Sequence, residues 1–146
     1  MKILFLILGI VILLILIFIK IGYLNPKTPT AEINGHVFSL YLAKTQAEQA
    51  TGLAKFNRIT ENQGMLFLFT KADNYSFWMK DMKFPIDIIF IGDNKVVDVF
   101  GKVPVSPNDN LPVYTTKIKA DKVLEINSGL AKKYGIKIGT KVNLNL

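Results

Sequence analysis

Pro85-Ile86-Asp87-Ile88-Ile89-Phe90-Ile91, followed by Gly92-Asp93-Asn94, sets the fold class of this chain. Proline opens the segment, β-branched and aromatic residues fill it, and the Gly-Asp-Asn turn sends the chain back through residues 95–100. The pattern predicts a strand, a turn and a returning strand. Upstream, Met65-Leu66-Phe67-Leu68-Phe69 is apolar on both faces and predicts a central, covered strand. Between these runs, residues 76–82 alternate. Phe77, Met79 and Asp81 fall on one face, and Trp78, Lys80 and Met82 on the other. Residues 31–42 predict a hairpin around Asn34-Gly35, a type I′ turn signal, with His36 exposed at a strand end. Thr45-Gln46-Ala47-Glu48 is a capping box that starts a short helix reaching about Ala54. Two more strands are expected at 113–118 and 123–127. A helical turn over 129–134 follows, capped by Ser128 and stopped by Gly135. Ile136, Ile138, Val142, Leu144 and Leu146 close the chain in alternation. Short strands with two small helices predict a mainly β domain, a single compact β-sandwich or partly open β-barrel.

The N-terminus is of another kind. Across residues 3–19 only Gly9 is not a large apolar residue, and Lys2 and Lys20 flank the run. As a helix it would span about 25 Å, which Ile21, Tyr23 and Leu24 extend toward a hydrocarbon core of about 30 Å. Lys20 can snorkel, and Tyr23 suits the headgroup level. The run exceeds the apolar region of a secretory signal, and no small-residue cleavage site follows. Residues 1–24 therefore read as an uncleaved transmembrane signal anchor. Residues 25–30, with Pro26 and Pro29, read as a stiff linker, and 31–146 as a β-rich domain outside the cytoplasm. Charge barely votes on orientation, because lysines flank both ends of the span.

Composition narrows the chemistry. There is no cysteine, which excludes a disulfide scaffold, a thiolate metal site and a cysteine nucleophile, and any histidine-dependent relay would rest on His36 alone. The net charge of +7 is carried by scattered lysines with one arginine, Arg58. Arginine is the preferred reader of phosphates and bases, so no nucleic-acid partner is expected. Lysines suit a domain held beside anionic lipid. The expected partners are the bilayer, through residues 3–24, and an unidentified envelope ligand or protein. No metal and no cofactor are called for.

Gly64-Met65-Leu66-Phe67, Phe77-Trp78-Met79-Lys80 and Pro85-Ile86-Asp87-Ile88-Ile89-Phe90-Ile91 together resemble the uncharacterised family called domain of unknown function 192. Thr45-x-x-Glu48-x-x-x-Gly52-Leu53 is similar to its helix. Tyr114, Val123-Leu124-Glu125, Gly129 and Gly135-Ile136-x-x-Gly139 are similar to its C-terminal signature. After Gly-Leu the family usually has Met and a basic residue; this chain has Ala54-Lys55, with Arg58 later. The resemblance covers about residues 37–142. It implies a compact β-rich domain, commonly behind a leader or anchor, and brings no catalytic residue.

Asp87 is the most informative polar residue, because it interrupts an apolar strand and shares a face with Ile89 and Ile91. A carboxylate there must be hydrogen-bonded, paired or neutral. It reads either as a pin for its strand or as a general acid, with Asp81 or Glu48 as the second carboxylate of an envelope hydrolase. Glu48 is also explained by capping. Trp78 reads as core; alternatively Trp78, Tyr75 and Tyr114 form an aromatic platform, with Lys80 beside it, for a sugar or peptide. Glu125 reads as part of a solvated strand face. Asp93-Asn94 and Asn108-Asp109-Asn110 read as turns rather than calcium loops. The leading expectation is a membrane-tethered envelope domain that binds or supports a ligand without catalysis, and the alternative is the hydrolase. Two or more carboxylates converging on an aromatic-edged cleft would favour the latter.

Overall fold

A computed structural model of the chain describes residues 7, 9–17, 28–106 and 111–146. Among the described residues from 28 onward, nine strands, two short helices and one 3-10 turn follow in order. They are β1 (Thr30–Ile33), β2 (His36–Ala43), α1 (Gln46–Thr51), the 3-10 turn Gly52–Lys55, β3 (Gln63–Asp73), β4 (Ser76–Trp78), β5 (Ile86–Gly92), β6 (Lys95–Val103), β7 (Val113–Thr115), β8 (Ala120–Asn127), α2 (Leu130–Lys133) and β9 (Val142–Asn145). Seven strands form one sheet in the order β6-β5-β8-β3-β2-β1-β9, and β4 pairs with β7 as a separate ribbon.

Local chemistry explains most of these elements. Asn34 and Gly35 both take positive φ, and Ile33 pairs with His36 across them, as a type I′ hairpin requires. Asp93 and Asn94 do the same between β5 and β6. His36 is exposed and stacks on Tyr134 at 3.5 Å. β3 is the middle strand of the seven, and Met65, Leu66 and Phe67 are buried on both of its faces. The β2–β3 pair is parallel, so the chain must cross over between them, and α1 lies on that crossover.

The sheet curls into a half-barrel. Its two edge strands approach at one end, where Val96 N–H donates to the Thr140 carbonyl at 2.9 Å, Gly139 N–H to the Val96 carbonyl at 2.8 Å and Val142 N–H to the Asn94 carbonyl at 2.9 Å. A core fills the inside of the curl, from Ile33, Phe38 and Leu40 through Leu66, Leu124 and Ile89 to Leu130 and Ala131 of α2. A second core lies outside the sheet. There Phe67, Ile88, Phe90 and Val123 pack under Leu53, Met79 and Met82, with Phe77 and Tyr114 of the ribbon. The central strands are therefore covered twice, which is why they are largely apolar.

Close approach in the middle of the sheet fixes one glycine. A Cβ on Gly64 would lie 2.8 Å from the Glu125 carbonyl oxygen of β8 and 3.0 Å from Ile126 Cγ2. Gly64→Ala should cost about 2 kcal/mol by overpacking, read as a lower urea midpoint with an unchanged slope.

Four local expectations need correction. The strand predicted over 76–82 ends at Trp78, and Lys80 and Asp81 form a turn, with Asp81 at φ 58. Met79 and Met82 are both buried although three residues apart, a spacing that a period of two cannot satisfy. Lys80 and Asp81 therefore do not lie on opposite faces of a strand. Ser128 does not cap α2; Gly129 is the N-cap, without a side-chain cap bond. The closing alternation shortens to β9, with Ile136 in the inner core and Ile138 exposed. Glu125 is buried rather than solvated, because β8 lies between β5 and β3 and is covered on both faces.

In the leader, residues 7 and 9–17 are helical and their side chains are exposed. Among the described residues no helix is long and apolar enough to cross a membrane. The rest of the predicted span 3–24, with residues 25–27 of the linker, lies outside the described residues, as does the Asn108-Asp109-Asn110 turn.

Candidate functional site

One wall of the site begins with the capping box. Thr45 Oγ1 accepts the N–H of Glu48 at 3.2 Å, while Glu48 Oε2 accepts the N–H groups of Thr45 at 2.9 Å and Lys44 at 2.8 Å. The main-chain bonds from Thr45 and then Lys44 hold the Glu48 carboxyl below its ordinary range. Gln49 fastens the helix to the sheet, its Nε2 donating to the Leu68 carbonyl at 2.9 Å and the Ala43 carbonyl at 3.4 Å. At Gly52 the helix tightens into the 3-10 turn with φ 53 and ψ −146, a conformation suited to glycine. A Cβ there would lie 3.4 Å from Phe67 Cζ and 4.0 Å from Glu125 Oε2, so the backbone rests directly on both residues.

The facing wall is β4. Between it and α1 lies a cleft of about 150 Å³, lined by Gly52, Phe67, Tyr75, Trp78 and Lys80 among others. An adjoining groove of about 410 Å³ shares Ala50, Thr51, Trp78 and Lys80 with it and adds Lys55 and Asp81. The floor is aromatic and locked. Phe69 stacks on Tyr75 at 3.6 Å, and Phe77 meets Phe67 edge-on at 4.9 Å and Phe90 at 5.7 Å. The Tyr75 hydroxyl donates to the Lys71 carbonyl at 2.8 Å.

Tyr75, Trp78 and Lys80 thus share one cleft. Trp78 is 56% exposed, not core, because Phe77 and Tyr114 take the inward positions of the ribbon and Trp78 alternates outward. Tyr114 lies opposite Phe77 and packs edge-on against Phe100 at 5.5 Å, away from the cleft lining. Asp81 borders the groove, and Glu48 lines neither cavity. Asp87 is fully buried and accepts main-chain bonds at α2, whose Leu130 and Ala131 belong to the inner core; the cleft lies over the outer one. The three carboxylates offered for acid–base work do not converge.

Glu125 is the residue that sequence reasoning missed. It is 4% exposed, Oε2 has no hydrogen-bond partner, and burial pushes its carboxyl up to about 8. This carboxyl, which burial favours in its neutral form, therefore lies near Gly52 of the cleft wall. The signal was its setting within Val123-Leu124-Glu125-Ile126, where an apolar neighbour on each side predicts a doubly covered strand. Among the described residues no group of three or more His, Asp or Glu could hold a metal ion.

The family profile of domain of unknown function 192, described as an uncharacterised ACR, matches residues 29–144. The chain belongs to this DUF192 family. A solved structure of a protein of unknown function from Novosphingobium aromaticivorans is 38% identical, with a TM-score of 0.71 over 79% of this chain and 82% of that one. A solved structure from Sinorhizobium meliloti, described as a putative transcription regulator, is 24% identical, with a TM-score of 0.71 over 80% of this chain and 91% of that one. The second likeness speaks for the fold alone. No curated protein matches the chain. Both walls of the cleft fall inside the matched DUF192 region.

Proposed function

We propose that this DUF192 chain is a non-catalytic binding module of the cell envelope. Residues 3–24 hold it to the bilayer, and residues 31–146 stand outside the cytoplasm on the linker 25–30. One observation carries the binding role: an exposed Trp78, with Tyr75 and Lys80, edges a cleft floored by stacked aromatic rings. Preformed, mostly apolar clefts with a few polar groups at the rim are the usual form of a ligand site. The separation of Asp87, Asp81 and Glu48 speaks for binding over hydrolysis. The apolar run of residues 3–19 between Lys2 and Lys20 supports the tether.

The binding role is tested with the full-length protein in detergent, screened by thermal shift against envelope saccharides, peptides and divalent ions. A true ligand raises the melting temperature of the wild type. Trp78→Ala should weaken that ligand about tenfold, the scale of one lost aromatic contact, with little change in the unliganded melting temperature, because Trp78 is largely outside the core. A ligand that stabilises wild type and variant equally would place binding elsewhere. The tether has its own test. Carbonate washing should leave the native chain in the membrane fraction, and protease added to spheroplasts should remove residues 31–146. Release by carbonate, or survival of the domain, would overturn it.

A further inference from the structure

β4 uses only one of its two edges. Ser76, Phe77 and Trp78 pair with Thr115, Tyr114 and Val113, and among the described residues no strand lies on the other side. Nor does any other main-chain bond engage these three residues among the described ones. The cleft touches all three in succession. Successive side chains of a strand point to opposite faces, so a cavity that meets three in a row runs along the strand's edge. The unpaired N–H and C=O groups of β4 therefore face the cleft, with residues 49–53 as the opposite wall.

Most side-chain hydrogen-bonding groups around this cleft are engaged. Gln49 Nε2 is bonded to two carbonyls. Thr51 Oγ1 donates to the Ala47 carbonyl at 2.9 Å, and Ser76 Oγ shares a 2.7 Å bond with Thr115 Oγ1. The Tyr75 hydroxyl is engaged with Lys71. What is left to recognise a ligand is the main chain of β4, the aromatic floor, the Gln49 side-chain oxygen, the Trp78 indole N–H and Lys80, which forms no ion pair among the described residues. A saccharide needs several free side-chain donors and acceptors; an extended peptide needs a strand edge. The cleft, at about 150 Å³, suits a single side chain, and the adjoining groove of about 410 Å³ leaves room for the chain that carries it. Lys80 lines the cleft and the groove alike, and Lys55 borders the groove, against one acid, Asp81.

We infer that the cleft edge of β4 takes an extended, acidic peptide as a third strand of the ribbon. One apolar side chain enters the cleft over Phe67 and Phe69, and a carboxylate meets Lys80. This inference rests on the binding role proposed above and names its ligand class.

Trp78 is the only tryptophan, so its emission reports on the site directly. The full-length protein in detergent is titrated with capped hexapeptides of Ser and Thr carrying Leu, Ile or Phe at the third position and Glu at the fourth, fifth or sixth. Parallel titrations use envelope saccharides. The expected result is a saturable change in Trp78 emission with at least one peptide, weakened at least tenfold by Lys80→Glu. N-methylation of alternate peptide amides should abolish binding in one phase and spare it in the other, because only every second amide faces a neighbouring strand. Equal tolerance of both methylation phases would overturn strand addition. Saturable binding of a saccharide with none by any peptide would overturn the peptide and leave the cleft as a binding site. No saturable response to either would overturn the peptide together with the binding role.

Discussion

Asp87→Asn should destabilise the folded chain by about 3–5 kcal/mol, the range for stripping one partner from a buried, charge-assisted cluster. Asp87 is 0% exposed, and its carboxylate is surrounded by donors. Oδ1 accepts the N–H of Lys102 at 2.7 Å and of Gly129 at 2.9 Å, and Oδ2 accepts the N–H of Ala131 at 2.7 Å. One side chain on β5 therefore ties down the end of β6 and the start of α2. Both need help. Lys102 sits at φ 56, uncommon for a residue with a Cβ, and Gly129 at φ 86 offers no side chain to cap the helix. α2 is a single turn, too short to persist alone, yet its Leu130 and Ala131 belong to the inner core. An amide replaces an acceptor with a donor that must face N–H groups, leaving buried donors unpaired. Against a typical stability of about 5–15 kcal/mol, the loss is severe. Urea unfolding of the two proteins measures it. An unfolding free energy within about 0.5 kcal/mol of wild type would show that α2 is held by its packing alone. Where the variant stays folded, ligand binding at the cleft should be intact, because the cleft lies over the other core.

The second large effect is a pH dependence with a definite sign. Burial raises the Glu125 carboxyl from an ordinary 4.5 to about 8 in the folded chain. The stabilising state is therefore the protonated one. Below about 4.5 both folded and unfolded chains carry the proton, and this residue leaves stability unaffected by pH. Between about 4.5 and 8 the unfolded chain releases it while the native chain keeps it. The native state then binds more protons, and stability falls as pH rises, by about 1.4 kcal/mol per unit for this residue. Above about 8 the slope vanishes. Glu125→Gln never ionises, so it should match wild type near pH 4 and exceed it increasingly up to pH 8. Urea midpoints of both proteins from pH 4 to 9 give the difference profile, in which groups common to both cancel. Parallel profiles would mean that the carboxyl reaches water or a partner in the native protein.

These two acids show where a reading of residues succeeds and where it stops. Asp87 stood out because a carboxylate among isoleucines must be satisfied somehow. Its partners did not, since Gly129 and Ala131 lie more than forty residues away and α2 is too short to announce itself. Glu125 alternates with Asn127 and so reads as solvated, but Leu124 and Ile126 beside it belong to a strand that is covered on both faces. The strand could be read, but not the layer above it. Trp78 shows the same limit in reverse. An indole flanked by Phe77, Met79 and Met82 looks like core, but the chain turns at Lys80 and Asp81, and both methionines enter the core while the tryptophan is left outside.

What the sequence determined alone is everything governed by neighbours a few residues apart. Asn34-Gly35 and Asp93-Asn94 make their hairpins because those residues accept positive φ. Thr45 and Glu48 cap their helix because each reaches the other's main chain, and the apolar run around Leu66 becomes a covered strand because no face of it tolerates water. The resemblance carried by its motifs also placed the chain in its family. The tertiary structure decided which elements meet: the parallel pairing of β2 with β3, the bonds by which Asp87 caps α2 from another strand, the burial of Glu125, and the open edge of β4 facing α1 across a cleft. Those depend on how a curled sheet packs two layers against itself. Packing selects among distant pairings by shape and by the need to satisfy every buried polar group, quantities that no short stretch of the chain contains.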